Sequence, residues 1–359
     1  MLFRSSSLQL LKAFGIPIRV HFTFLFLVLY IGIYSAQTGQ STLLAVGLVA
    51  MVFFCVVLHE LGHALAARRF GIDTRDIVLY PIGGVARLDG IPSGLPELVI
   101  AAAGPAVNLV LALGAAFVML AGGVPFLTAI ESGGPASLLA WLLWANVGLF
   151  VFNLLPAFPM DGGRILRAAL SFAVGDDRAT RLAATTGQML ALVMGLFAVF
   201  GPAPNFVLLI IALFVFLGAG QEAAFHRTRA MVRHRTAREA MMSKIEVLAP
   251  QDSLEWASRL FLATHQRDFP VVDAWGRVAG LLDREALLAG LATHGREGAV
   301  LDAMSREVMT VAPDHPLEEV LRVLQSQRGR SILVVEDEQL VGMVTLEKLM
   351  QMIEVIRRL

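Results

Sequence analysis

The chain is short of charge and has almost no cysteine. Only 16% of its 359 residues are Asp, Glu, Lys or Arg, where a soluble domain of this size carries about a quarter. The 29 basic and 29 acidic residues cancel, so overall charge implies no nucleic acid or other polyelectrolyte partner. A single cysteine, Cys55, excludes an intrachain disulfide. No small-residue cleavage site follows the basic first 20 residues. The apolar stretch 20–36 is therefore expected to be a retained span rather than a signal peptide.

Long apolar runs take the place of the missing charge. The composition is 56% hydrophobic and the mean hydropathy is +0.69. A helical span needs about 20 apolar residues, and six segments qualify: 20–36, 43–67, 96–121, 137–159, 182–200 and 205–224. Gly or Pro is expected to interrupt the third and fourth. A bilayer tolerates such breaks only where the backbone is buried in protein or faces a wet cavity. Lys and Arg gather before the first span, after the second, between the fourth and fifth, and after the sixth. Loops 37–42, 122–136 and 201–204 have neither. This alternation puts both termini in the cytoplasm of a multi-pass protein of the cell membrane. The arginine clusters and the basic linker 226–240 are expected to contact anionic lipid headgroups.

The second span contains His59-Glu60-Leu61-Gly62-His63. Residues four apart share a helix face, so both imidazoles can reach one metal ion, with Glu60 beside them to take a proton from a metal-bound water. Ionisable groups inside an apolar span are functional by default. A catalytic zinc takes three protein ligands and leaves one position open. The candidate third ligand is Asp161, in Asn153-Leu-Leu-Pro156-Ala-Phe-Pro159-Met160-Asp161-Gly162. Taken alone, Asp161 serves equally well as N-cap of a following helix 163–172. Its pairing with the motif on the second span favours ligation. Cys55 reads as a buried inert thiol, and Asn108 as a helix–helix hydrogen-bonding residue or as part of a wet site.

These paired motifs resemble the site-2 protease family of intramembrane metalloproteases. Gly15-Ile-Pro17, Pro81-Ile-Gly83-Gly84 and Gly104-Pro105-x-x-Asn108 extend the likeness over roughly residues 14–222. The resemblance implies that His59, His63 and Asp161 hold one zinc per chain and that Glu60 is catalytic. It gives Asn153 a role toward substrate or oxyanion, and implies peptide-bond hydrolysis in membrane protein substrates. It also implies that 77–88 forms a membrane-associated strand or hairpin against which unwound substrate pairs; a re-entrant loop is the alternative.

Beyond residue 240 the composition is ordinary and the chain repeats. Val247-Leu-Ala-Pro250 returns as Thr310-Val-Ala-Pro313, and Gly280-Leu-Leu-Asp283 as Gly342-Met-Val-Thr345. The repeat resembles a tandem cystathionine-β-synthase (CBS) pair, copies about 241–298 and 299–359. Ala286 and Lys348 stand where many such pairs carry a ribose-binding Asp, so nucleotide binding is not expected here and a dimerising or coupling role is. The expected whole is a mainly α membrane domain, 1–225, with six spans and a short β element, then a soluble α/β pair at 241–359. The competing class is a transporter or channel with a CBS tail. Against it stands Glu60, since transport needs ligands but no general base.

Overall fold

A computed structural model describes residues 7–39, 41–88, 90, 93–125, 134–326 and 331–358. It divides into two compact units, Met1–His226 and Arg227–Leu359.

The first unit is mostly helical. Its helices are α1 (Thr23–Gln37), α2 (Thr42–Arg68), α3 (Leu95–Ala121), α4 (Gly134–Asn153), α5 (Asp161–Val174), α6 (Asp176–Phe200) and α7 (Phe206–Val232). Among the described residues four stretches are long and apolar enough to cross a bilayer: Thr42–Arg68, Leu95–Ala121, Asp176–Phe200 and Phe206–Phe225. Thr23–Gln37 and Ser137–Asn153 are shorter apolar helices. Leu113, Phe117, Leu196, Phe197 and Phe206 are exposed, as befits helices whose outer surface meets lipid. Inward, α6 presents Ala179, Ala183, Ala184, Gly187 and Ala191, small residues that let helix backbones approach closely.

Two expectations are corrected. The third span is one continuous helix through Pro105, because a buried proline forfeits a single backbone bond and its neighbours absorb the loss. The fourth does not run to 159; α4 stops at Asn153, since Pro156 and Pro159 cannot continue a helix. Most of the loop expected at 122–136 lies outside the described residues.

The β element is larger than the sequence suggested. Strands β1 (Ser7–Ala13), β2 (Ile16–His21), β3 (Thr74–Tyr80) and β4 (Gly83–Leu88) form one sheet in the order β1-β2-β3-β4. The first and last pairs are antiparallel and β2–β3 is parallel. Ile16, Ile18, Ile77 and Leu79 of the sheet pack with Val56, Leu61 and Ala64 of α2. This core fixes β4, an edge strand, beside the helix that carries the two histidines.

Several arginines near the ends of the apolar segments have protein partners. The Arg68 guanidinium donates to the Phe14 carbonyl at 2.8 Å, Arg87 pairs with Asp76, and Arg167 is buried against Glu97. An arginine can satisfy its donors on fixed carbonyls and carboxylates as well as on phosphates.

The second unit holds both repeats. The stretch 226–240 carries the end of α7 and a short helix α8 (Ala237–Ala240), which Thr236 and Glu239 cap reciprocally. The first copy comprises α9 (Leu254–Ala263), β5 (Asp268–Val272), β6 (Val278–Asp283) and α10 (Arg284–His294), with α11 (Val300–Ala303) leading on. The second comprises β7 (Thr310–Val311), α12 (Leu317–Ser326), β8 (Ile332–Glu336), β9 (Gln339–Val344) and α13 (Leu346–Arg358). Leu281 of one copy packs with Leu333 and Met343 of the other, so the two share a core.

Candidate metal centre

Two distant stretches of chain bring three ligand atoms together. His59 and His63 lie one turn apart on α2, and their Nε2 atoms are 3.1 Å apart. Asp161 Oδ2 lies 3.1 Å from His59 Nε2 and 3.2 Å from His63 Nε2. Ligands about 2.0–2.1 Å from a tetrahedral zinc stand about 3.3 Å from one another. The triangle therefore fits a zinc ion with little adjustment, and two imidazoles with one carboxylate are a donor set that zinc accepts. Among the described residues these three form a candidate metal-holding group.

The surrounding packing explains why the rings face this way. His63 Nδ1 is 2.7 Å from the Ile100 carbonyl oxygen. A carbonyl can only accept, so Nδ1 carries the proton and Nε2 is free for a metal. His59 Nδ1 lies 2.5 Å from Asn108 Oδ1. Both supports come from α3, and Gly104 lets that helix approach: a Cβ there would collide with both imidazoles. Asp161 is the first residue of α5, and Met160 holds the N-cap position. Its carboxylate is therefore not spent on capping.

Glu60 extends toward the sheet. Its Oε2 accepts the Ala86 N–H at 3.0 Å. A Cβ on Gly84 would lie 2.7 Å from Glu60 Cγ, so only glycine lets β4 sit this close. His59, Glu60, His63, Asn153 and Asp161 all line one cavity of about 260 Å³, with Gly84, Val85 and Ala86 of β4 along its wall. Glu97, Arg164 and Glu222 also line it, so its wall is partly charged.

Sequence reading missed three features. Arg167 donates to Glu97 Oε1 at 2.7 Å and to Oε2 as well; this buried fork ties α5 to α3. Arg164 lies 3.6 Å from Glu222, joining α5 to α7 at the cavity. Asn146, fully buried on α4, bonds Asn108. The available signal was the one that singled out Glu60: a polar residue within an apolar run.

The chain matches Peptidase family M50 over residues 47–134 and 128–196, and the CBS domain over 237–293 and 300–355. It is 36% identical over 340 residues to a zinc metalloprotease of Methanocaldococcus jannaschii, covering 94% of each chain. The chain belongs to peptidase family M50, the site-2 proteases. The M50 member thus carries a CBS pair, works as an intramembrane zinc metalloprotease and has zinc as its cofactor. It is also 32% identical over 330 residues to Rip3 of Mycobacterium tuberculosis, covering 88% of this chain and 82% of Rip3. A solved site-2 protease from Methanocaldococcus jannaschii is 39% identical and covers 60% of this chain and 95% of its own, with a TM-score of 0.45.

Proposed function

We propose that His59, His63 and Asp161 hold the zinc of this protease, that Glu60 is its general base, and that Asn153 supports the oxyanion. The observation that carries the proposal is the meeting of three donor atoms, 3.1–3.2 Å apart, in a cavity that Glu60 and Asn153 also line. Zinc bound there supplies a Lewis acid that lowers the pKa of water and polarises a carbonyl. Glu60 takes the proton of the attacking water and returns it to the leaving amine. The Asn153 side-chain amide donates to the oxygen that gains charge.

Substrate is a membrane protein segment, and it binds in extended form. A helix keeps its amides bonded within itself, so a scissile bond must first leave the helix. β4 is an edge strand along the cavity wall, and the Ala86 N–H points away from β3 toward Glu60. An extended segment added to that edge gains backbone hydrogen bonds.

All six apolar helices span the cell membrane in this reading, and both termini are cytoplasmic. The support is the alternation of Lys and Arg between loops. The tail couples a signal to the protease and pairs with a second copy, and it binds adenine nucleotides weakly or not at all. Asp283 accepts the Ala286 N–H at 2.8 Å and Thr345 the Lys348 N–H at 3.1 Å, so both cap their own helices.

Purified Glu60→Gln is expected to retain about one zinc per chain and to lose cleavage by about 10²–10⁴-fold. It should also accumulate bound membrane protein, while His59→Ala loses the metal. Full zinc content in His59→Ala/His63→Ala overturns the ligand assignment. Cleavage by Glu60→Gln at the normal rate overturns the base.

A further inference from the structure

We infer that Asn146 is a positioning residue for the metal centre, and that it decides which nitrogen of His59 faces the zinc. The inference rests on the reading of His59 as a ligand and adds to it a chain of bonds through α2, α3 and α4.

The chain starts at a group that cannot reverse. The Leu142 backbone carbonyl can only accept, and the Asn146 side-chain nitrogen donates to it at 2.8 Å. The same nitrogen donates to Cys55 Sγ at 3.3 Å. A flipped amide would turn its oxygen toward the Leu142 carbonyl oxygen, so that bond fixes the orientation of Asn146. Its Oδ1 then faces Asn108 Nδ2 at 2.9 Å. That fixes Asn108 in turn, with its Oδ1 toward His59 Nδ1 at 2.5 Å. His59 must put its single ring proton on Nδ1 to complete the chain, which leaves the Nε2 lone pair directed at His63 and Asp161. Asn108 and Asn146 are both wholly inaccessible to solvent, so reversing one amide would strand buried donors against donors.

Burial makes this arrangement more than glue between helices. Were the relay reversed, Asn108 would present N–H to Nδ1, and Nε2 would carry the proton and could not ligate. Partners behind a ligating imidazole typically change metal affinity by about 10–100-fold. Cys55 has a place in the same chain, as an acceptor that helps hold the Asn146 amide one helical turn from His59.

The test uses the full chain. Histidine-selective ¹⁵N labelling of the metal-free wild type, with His59 assigned through His59→Gln, is expected to find His59 protonated at Nδ1. Chelator competition is expected to find zinc bound about 10-fold or more weakly in Asn108→Leu and Asn146→Leu. The double variant should be no weaker than Asn108→Leu alone, because both act along one path. A His59 in the metal-free wild type whose Nδ1 carries no proton overturns the inference without any variant having to fold. Unchanged zinc affinity in folded Asn146→Leu, or additive losses in the double variant, also overturns it. His59→Ala separates the two levels: if it keeps its zinc, the ligand reading fails; if it loses zinc while Asn146→Leu does not, only the relay fails.

Discussion

The two units each gather polar side chains around an opening, and they use them in opposite ways. In the first, the ring and carboxylate atoms of His59, His63 and Asp161 converge on about 260 Å³ of open space, and backbone and amide groups hold the imidazoles from behind. In the second, an opening of about 30 Å³ is bordered by Asp283, Glu307 and Ser331. Asp283 caps α10, and Ser331 donates to Asp268. The second set stabilises its own fold, while the first leaves ligand atoms pointing into space. An acidic residue near a cleft is therefore weak evidence of a site until its acceptors are found to have no local use.

The largest effect that would break this comparison lies at the Arg167–Glu97 pair. Both residues are buried, with relative exposures of 3% and 5%, and they tie the helix that starts at Asp161 to the helix that supports both histidines. Arg167→Met takes both of its bonds from a buried carboxylate and is expected to cost about 3–5 kcal/mol. Glu97→Met/Arg167→Met should recover much of that loss, since well-packed apolar side chains replace a buried ion pair at little cost. Thermal unfolding of the detergent-solubilised chain checks the order. Equal losses in the single and double variants would mean that the pair is not what joins α3 to α5.

A smaller effect is expected at Gly84, where the metal unit depends on the absence of a side chain. Gly84→Ala puts a Cβ 2.7 Å from Glu60 Cγ, and relieving the contact shifts the base by about 1 Å. A displacement of that size costs about 100-fold in turnover, while zinc content stays intact. Initial-rate measurements beside a zinc assay separate the two. Loss of zinc would mean that β4 shapes the ligands as well as the base.

How far the chain could be read in advance follows the same division. Motifs carried by local spacing were legible: His59 and His63 at one helical turn, and the prolines that end α4 before Asp161. Pairings between distant segments were not. Ile18 pairs with Ile77 in parallel, and nothing in Ser7–Ala13, whose leucines are exposed, marks it as the partner of β2. Arg167 looked like a charge at a span end because burial of its guanidinium depends on Glu97, 70 residues away. Asn146 stood in an apolar run without any neighbour to suggest its role. In the tail, the repeat itself was readable from Gly280-Leu-Leu-Asp283 and Gly342-Met-Val-Thr345, but the capping role of Asp283 required the start of α10.

The tail is expected to stay silent where a nucleotide sensor would respond. Titrating the full chain with AMP or ATP in a calorimeter should give no saturable heat at micromolar concentration, because Ala286 and Lys348 stand where a carboxylate would accept from ribose hydroxyls. A charge-assisted bond of that kind contributes about 1.5–3 kcal/mol. Micromolar binding would make the two openings alike in kind, and the contrast between the units would fail.

The smallest effect concerns Asp268, whose carboxyl is raised above its ordinary value of 3.8 chiefly by burial, with the nearby Asp283 charge adding to the rise and the Ser331 bonds opposing it. The folded chain thus holds this proton more tightly than the unfolded chain does. Stability from the group is fully present below the unfolded value and is lost as pH rises through the folded one. Asp268→Asn removes the charge but keeps an oxygen for the Ser331 hydroxyl. It should therefore stabilise the second unit at pH 7, and the gain should vanish near pH 3, where the wild-type carboxyl is already neutral. Unfolding temperatures of the two full-length proteins across that range decide the point. A gain that is equal at both ends would trace to packing rather than charge, and a loss at pH 7 would mean that the ionised Asp268 supports the join between the two copies.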